Sequence, residues 1–316
     1  MKTKSLTLPI FLEFVELKTK VASVFPMIIG FAWSQWQYHQ INVINSLLFA
    51  LAVIAFDMCT TAINNTMDYH TAYDTAYQRN ENVIGKHQLN VKHMTLIIYG
   101  LLASSCLISI ILVIKTDLLL LPMGALCFLI GIFYTFGPFP LSRLPLGELF
   151  SGVTMGFGIF FLAIYVQDPH QLFYSQWTSE SISLTLKWMQ VLKIALMSLP
   201  LVVLISNIML ANNICDYQQD LNNRRYTLVH YLGEKNSRHL YVGLHSLAWL
   251  MFAFFIIWQW LPFFALLIFL AYPLSLKTLL IFLKKQIKQE TFIEAIKNFV
   301  LVSSIYVILL LILCLI

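Results

Sequence analysis

Residues 199–220 read LPLVVLISNIMLANNICDYQQD, an uncharged apolar stretch that runs directly into a cluster of amide and acidic side chains. A helix needs about 20 mostly apolar residues to cross the hydrocarbon core of a bilayer. Counted back to residue 187, the apolar stretch is long enough, so it predicts a transmembrane helix over 187–212. The polar residues at the end of this predicted helix are Asn212, Asn213, Asp216 and Asp220.

The composition of the whole chain indicates the same lipid environment. Of the 316 residues, 59% are hydrophobic and 11% are charged, and the mean hydropathy is +0.76. Soluble globular domains are roughly 45–50% apolar and about 25% charged, so most of this protein's surface is expected to face lipid. The same length criterion predicts an all-α bundle of about nine transmembrane helices that forms one domain, 1–316. The predicted spans are 21–37, 44–66, 94–114, 118–137, 147–167, 187–212, 239–258, 260–283 and 293–316.

Basic residues are divided unevenly between the connections of this predicted bundle. Cytoplasmic connections of membrane proteins carry an excess of Lys and Arg. Most basic residues lie in the N-terminal segment, with Lys2 and Lys4, and in connections 67–93, 138–146, 213–238 and 284–292, whereas the opposite connections hold few. We therefore expect a multi-pass protein of the cell membrane with a cytoplasmic N-terminus and an external C-terminus. The outer connection 168–186 is polar but lacks basic residues before Lys187, so it is expected to be a solvated connection.

Two acidic clusters stand at the ends of predicted spans on the same side of the membrane. Residues four apart share a helix face, so Asn64 lines up with Asp68, and Asn212 lines up with Asp216 and Asp220. Asp74 is on another face unless the helix has ended before it. Carboxylates close together near a membrane are costly unless cations offset them, and carboxylate oxygens suit Mg²⁺ shared with phosphates. The clusters therefore predict a diphosphate site with metal ions, although a single such pair also fits a helix cap.

Basic residues near these clusters are candidates for contact with the phosphate groups. Arg79 and Lys86 follow the first cluster, Arg224 and Arg225 follow the second, and Arg143 lies in a short connection between them. One Arg guanidinium can bind two phosphate oxygens at once, whereas Lys binds phosphate as a point charge. The other interpretation is that they are ordinary basic flanks of cytoplasmic connections. The stretch 131–148 around the connection that holds Arg143 is rich in Gly and Pro, which end helices and stiffen turns, and Tyr134 and Glu148 flank the connection with polar groups.

The motifs together resemble those of the UbiA superfamily of intramembrane aromatic prenyltransferases, and most closely its 1,4-dihydroxy-2-naphthoate branch in menaquinone synthesis. Asn64, Asp68 and Asp74 resemble the first Asp-rich motif, and residues 212–220 resemble the second. The stretch YTFGPFPL at 134–141 and LGE at 146–148 are similar to elements of the naphthoate branch. Two positions depart from the family pattern: Asn65 stands where a second acid is common, and Tyr226 stands where a basic residue is expected.

The resemblance implies a Mg²⁺-dependent transfer of a polyprenyl group from a polyprenyl diphosphate to an aromatic acceptor. It implies that Asp68, Asp216 and Asp220 bind Mg²⁺ with Asn64 as a neutral oxygen ligand, and that these acids and Arg143 carry the catalysis. No nucleic acid is expected among the partners. The residues expected to bind substrate are Asn64, Asp74, Arg79, Lys86, Tyr134, Asn212, Asn213, Arg224 and Arg225.

Two alternatives remain open from the sequence. The acceptor could be 4-hydroxybenzoate, homogentisate or haem instead of the naphthoate, because the acidic clusters concern only the diphosphate. A secondary transporter with acidic coupling sites is the alternative of another class. Transporter carboxylates usually lie near the bilayer midplane, whereas both clusters here lie at predicted helix ends, which favours the enzyme.

Overall fold

The computed structural model describes residues 6–138 and 140–316 and shows a helical bundle with one small hairpin. Lys2 and Lys4, counted above among the basic flanks, and Phe139 lie outside the described residues. Three short 3₁₀ turns, Leu17–Lys20, Leu141–Arg143 and Pro169–Gln171, lie between the helices and strands, and a longer 3₁₀ helix spans Phe263–Ala271. The helices are α1 Leu8–Phe14, α2 Val21–Tyr38, α3 Val43–Thr71, α4 Thr75–Asn80, α5 Val83–Lys86, α6 Val91–Lys115, α7 Leu120–Phe133, α8 Gly147–Ser151, α9 Ile159–Tyr165, α10 Trp188–Met197, α11 Leu199–Cys215, α12 Tyr217–Asn222, α13 Leu228–Ile257, α14 Tyr272–Lys284 and α15 Phe292–Leu315.

The prediction of a polytopic all-α membrane protein is confirmed, but the count of nine crossings is not. Within the described residues, six helical spans are long and apolar enough to cross a membrane, and a bent pair formed by α10 and α11 makes seven. Helix α7 has 14 residues, and at about 1.5 Å per residue it is shorter than the ~30 Å hydrocarbon core. Helix α2 includes polar residues such as Ser34, Gln35 and Gln37. The six are α3, α6, Gly147–Tyr165, α13, Phe263–Lys284 and α15.

The bend between α10 and α11 measures 44° and follows from one proline. Pro200 stands at the start of α11, where its missing N–H and its ring disfavour a straight continuation of the preceding turn. Ser198 closes the end of α10 by donating from its hydroxyl to Ala195 O at 2.7 Å. Beyond the bend, α11 is buried along most of its length, and it therefore runs through the middle of the bundle.

Glycines bring α11 against the span Gly147–Tyr165, whose middle, Gly152–Gly158, is a π-helix. A Cβ atom at Gly156 would lie 2.6 Å from Val202 N and 2.7 Å from Val202 Cα. These are backbone atoms of α11, which cannot move as a flexible side chain could. Gly156 is thus required by the close approach of the two backbones, and this contact fixes the position of α11 in the bundle.

The connection 168–186, which was predicted to be solvated, is mostly exposed, and it folds into a hairpin that the sequence analysis did not predict. Strands β1 (Phe173–Trp177) and β2 (Ile182–Leu186) pair antiparallel, with Phe173 opposite Leu186. The carboxylate of Asp117 accepts hydrogen bonds from the backbone N–H of Ser175 at 2.9 Å and from its hydroxyl at 3.0 Å. The hairpin is thereby attached to the turn between α6 and α7.

Candidate active site

A cavity of about 990 Å³ opens between α3, α6, α7 and α11. One end is polar, where α3 ends and α11 gives way to α12. The other end is lined by apolar side chains of α3, α6 and α7, including Phe56, Leu102 and Phe128. Phe56 and Phe128 pack ring against ring at a centroid distance of 4.2 Å. The cavity therefore joins a charged chamber to an apolar channel.

The first acidic cluster lies in the last turns of α3. Asp68 is buried, and its carboxylate accepts from Arg225 Nη1 at 3.1 Å and from Arg143 Nη2 at 3.4 Å. Arg143 also donates to the Thr71 hydroxyl. One turn earlier, Asn64 Oδ1 accepts from the hydroxyl of Thr135 at 3.1 Å. Asn64 and Asp68 both line the cavity, as their spacing of four residues predicts.

The second acidic cluster lies where α11 ends and α12 begins. Asp216 accepts from Lys288 Nζ at 2.5 Å and from Asn212 Nδ2 at 3.1 Å. Asp220, on α12, is buried and lies 3.5 Å from Arg225 Nε. Burial raises the pKa of Asp220 to about 7 even though the Arg225 guanidinium opposes that rise. Arg225 thus contacts Asp68 with one nitrogen and Asp220 with another, so the two clusters meet across a single guanidinium group.

Asn213 and Tyr134 line the cavity and connect its walls. Asn213 Nδ2 donates to Glu148 Oε1 at 2.8 Å, and the Tyr134 hydroxyl donates to the carbonyl of Gly147 at 3.3 Å. Ser206, on α11, donates to the backbone carbonyl of Glu148 at 2.9 Å. The connection after α7 is therefore held against α11, and it carries Arg143 to the acidic end of the cavity.

Four residues expected to bind substrate do not line the cavity. Asp74 caps α4 instead, because its carboxylate accepts from the backbone N–H groups of Ala76 at 2.8 Å and Tyr77 at 3.2 Å. Lys86 pairs with Glu13 at 2.6 Å near the protein surface. The other two are Arg224, whose guanidinium lies 4.4 Å from the ring centre of Tyr73, and Arg79, which is exposed.

Asn65, at the position where the resemblance leads us to expect an acid, has a structural role. Its side-chain Nδ2 donates to the backbone carbonyl of Phe14 at 2.9 Å, and its backbone carbonyl accepts from Asn82 Nδ2 at 2.9 Å. A carboxylate at this position could not donate the first of these bonds. Asn65 therefore attaches the end of α1 to α3.

Four charged side chains in the cavity wall, Glu16, Lys20, Asp57 and Lys288, were not predicted as site residues. Lys288 comes from the connection between α14 and α15, and its spacing from the motifs offers no local signal. Lys20 and Asp57 form a largely buried ion pair at 2.6 Å, in which Asp57 also accepts from the hydroxyl of Ser23 at 2.6 Å. Asp57 lies seven residues before Asn64 on the same stripe of α3, and this spacing is the signal in the sequence for its place in the cavity wall.

The donor atoms at the acidic end suit a hard cation that is shared with a substrate. Among residues 6–138 and 140–316, no three His, Cys, Asp or Glu side chains are grouped closely enough to form a metal site by themselves. Mg²⁺, however, usually takes one or two carboxylates and completes its shell with water and substrate phosphates. Asp220 Oδ2 is buried and has no hydrogen-bond partner among the described residues. A further cation would stabilise this oxygen in its charged form, so the residues present fit Mg²⁺.

Comparison with known proteins identifies relatives of this chain. The model of the UbiA prenyltransferase family matches residues 23–312. The 1,4-dihydroxy-2-naphthoate octaprenyltransferase of Bacillus subtilis (strain 168) is 25% identical over 236 residues, which cover 73% of this chain and 68% of that protein.

Solved structures share the fold. A UbiA homolog from Archaeoglobus fulgidus bound to DMAPP and Mg²⁺ has a TM-score of 0.63 at 12% identity, with 97% of this chain and 99% of that chain covered. A digeranylgeranylglyceryl phosphate synthase has a TM-score of 0.62 at 16% identity, with 97% and 98% covered. Because the family model extends over nearly the whole chain, this membrane protein belongs to the UbiA prenyltransferase family.

Proposed function

We propose that this prenyltransferase moves a polyprenyl group from a polyprenyl diphosphate to 1,4-dihydroxy-2-naphthoate, with loss of CO₂, in menaquinone synthesis. The observation that carries the proposal is the meeting of Asp68 and Asp220 at Arg225, at one end of a cavity whose other end is apolar. A diphosphate and a prenyl chain are the two halves of a ligand that such a cavity fits. The naphthoate acceptor is supported by the Bacillus subtilis relative.

Asp68, Asp216 and Asp220 would hold Mg²⁺, with Asn64 as a neutral oxygen ligand. When bound, Mg²⁺ supplies positive charge that stabilises the diphosphate leaving group. Arg143 and Arg225 contribute further positive charge at the same end, and their planar groups suit paired contacts with phosphate oxygens. The Tyr134 hydroxyl and the Asn213 amide give the chamber polar walls that can orient the substrates.

The reaction then follows from separating charge inside a chamber that limits access of water. The bond between C1 of the prenyl chain and the diphosphate oxygen breaks, and its electron pair leaves with the diphosphate. The electron-rich ring attacks the allylic cation at C1, and the ring carboxylate leaves as CO₂ while its bonding pair stays with the ring. Apolar walls such as Phe56 and Phe128 keep water from the cation, so the protein acts mainly by positioning and charge stabilisation.

We further propose that the polar chamber faces the cytoplasm. The connections that form it carry basic residues, including Arg79, Lys86, Arg143 and Lys288, as cytoplasmic connections do. The N-terminus would then be cytoplasmic and the C-terminus external. Single cysteines introduced at Thr178 in the hairpin and at Lys285 test this arrangement. Impermeant thiol reagents added outside intact cells should label only the hairpin position, and labelling of Lys285→Cys would overturn the proposed orientation.

Product analysis by mass spectrometry tests the chemistry. Purified protein in lipid nanodiscs is given one polyprenyl diphosphate and a panel of 1,4-dihydroxy-2-naphthoate, 4-hydroxybenzoate, homogentisate and haem, with Mg²⁺ or with EDTA. We expect a decarboxylated prenyl naphthoquinol only with the naphthoate and only with Mg²⁺. Asp216→Asn should abolish it, and Lys285→Ala, at an exposed site, should not. A product from another acceptor alone would refute the naphthoate assignment, and full activity in EDTA would refute the role of Mg²⁺.

A further inference from the structure

Lys288 contacts the acidic end of the cavity from a part of the chain that holds neither motif. Its Nζ donates to Asp216 Oδ2 at 2.5 Å and also to Asn212 Oδ1. The ammonium group lies 4.9 Å from the ring centre of Phe292 at the start of α15, and both side chains line the cavity. Lys288 therefore contacts two members of the second acidic cluster, Asn212 and Asp216.

The backbone next to Lys288 is held in a defined turn. The buried hydroxyl of Thr291 donates to the carbonyl of Lys285 at 2.8 Å and accepts from the N–H of Ile287 at 2.9 Å. The N–H of Thr291 donates to the carbonyl of Ile287 at 2.8 Å. The start of the Lys288 side chain is thus fixed, whereas its charged end is carried on a flexible four-carbon stem.

Lys288 differs from the two arginines of the chamber in its freedom to move. The side chains of Arg143 and Arg225 are 21% and 18% exposed, whereas that of Lys288 is 36% exposed. Arg225 contacts two carboxylates and Arg143 contacts one carboxylate and a hydroxyl. Of these three basic side chains, Lys288 therefore requires the least free energy to leave its partners and enter water.

The oxygen that Lys288 occupies is one that a bound cation needs. Asp216 Oδ2 cannot contact an ammonium group and a divalent cation at full strength together, because the two positive charges repel at that separation. We propose that Lys288 holds the place of the cation at Asp216 in the empty enzyme and swings to the diphosphate when Mg²⁺ and substrate enter. An ammonium group is a natural partner for a phosphate oxygen. This inference rests on the proposed function.

A structural role and a placeholder role predict opposite signs for one substitution. If Lys288 only held the connection in place, Lys288→Ala would weaken the binding of Mg²⁺ and of diphosphate alike. If it competes with the cation, Lys288→Ala should strengthen binding of Mg²⁺ alone and weaken binding of inorganic diphosphate alone. From the usual size of a partly exposed ion pair, each change should be roughly 3- to 10-fold.

The experiment uses the full chain in nanodiscs and follows the thermal unfolding midpoint, which rises as a ligand binds the folded state. Mg²⁺ is titrated without diphosphate, and inorganic diphosphate is titrated in EDTA. Lys288→Ala and Lys288→Gln should both shift the two half-maximal concentrations in opposite directions. The matched control is Lys285→Ala in the same connection, because Lys285 pairs with Glu290 at 2.8 Å and both side chains are more than half exposed. That control should match the wild type.

Unchanged or weakened Mg²⁺ binding in Lys288→Ala overturns the inference, as does unchanged diphosphate binding. Lys288→Arg, which keeps the charge, should bind diphosphate as the wild type does. The proposed function is judged separately, from the Mg²⁺-dependent product of the wild-type protein. Loss of that product with opposite shifts in Lys288→Ala would refute the function alone, and a normal product without the shifts would refute only the role of Lys288.

Discussion

Removing the Arg225 guanidinium group should destabilise the metal-free protein more than removing any exposed basic side chain. Arg225 lies 3.1 Å from Asp68 Oδ2 and 3.5 Å from Asp220 Oδ1, and its side chain is 18% exposed. Two unit charges about 4 Å apart interact by about 4 kcal/mol at an effective dielectric constant near 20. Leaving a buried charge without its partner costs about 3–5 kcal/mol, and Arg225→Ala leaves Asp220 without one. We expect a loss of about that size in the free energy of unfolding in EDTA.

Arg224→Ala is the matched control, because the neighbouring arginine is exposed and its guanidinium lies over the face of Tyr73. An exposed contact of that kind contributes about 0.5–1 kcal/mol. Unfolding of the purified variants in nanodiscs, by heat and by denaturant, measures the difference with EDTA and with Mg²⁺. Mg²⁺ should narrow the gap between the two variants, since a bound cation restores positive charge beside the acids. If Arg225→Ala is as stable as Arg224→Ala in EDTA, the electrostatic reasoning about this site is wrong.

Three further predictions concern residues around the chamber. Asp74→Ala should leave turnover intact but lower the free energy of unfolding by about 1 kcal/mol, because a helix cap is lost. Asp74→Asn should match the wild type in turnover and in stability. A large loss of turnover in Asp74→Asn would show that this residue does bind substrate. Lys20→Met should destabilise the protein by about 3–5 kcal/mol because it leaves the largely buried Asp57 carboxylate without its cation. Asp57→Leu added to it should recover most of the loss in an unfolding assay, and a double variant as unstable as the single one would contradict this. Gly156→Ala should lower the free energy of unfolding by about 1–3 kcal/mol through overpacking. Gly158→Ala should not, because its Cβ would meet its nearest atom at 3.7 Å. Equal melting temperatures of the two variants would show that the backbones at Gly156 and Val202 can separate.

The acidic clusters could be predicted from the sequence because they depend on local geometry. Asn64 and Asp68 face the cavity together since a helix returns to the same face after about four residues. Asp74 illustrates where this rule ends. Helix α3 stops at Thr71, and once the helix has ended, spacing no longer determines direction, so Asp74 points to the N-terminus of α4 instead.

The basic residues show the opposite case. Being close in sequence to a motif suggested Lys86 and Arg79 as phosphate ligands, yet Lys86 pairs with Glu13. Lys288, which does contact the second cluster, is separated by 72 residues from Asp216. No periodicity reaches across such a distance, because whether two such residues meet depends on how the helices between them pack.

The hairpin lies between these cases. Residues 182–186 read ISLTL, a strict alternation of apolar and polar residues that is typical of a strand. A five-residue strand needs a partner, however, and its pairing with β1 is visible only in the structure. The polarity of this connection predicted that it is solvated, which does not distinguish a loop from an exposed hairpin.

By itself the sequence determined that this protein is a membrane-embedded helical bundle and that acidic clusters lie at two helix ends. Both conclusions depend on hydropathy and helical period, which are properties of neighbouring residues. Only the tertiary structure decided that Arg225 lies between Asp68 and Asp220, and that Lys288 reaches Asp216. Ion pairs between distant segments form where packing brings their backbones together, and close contacts such as that of Gly156 with α11 set that packing.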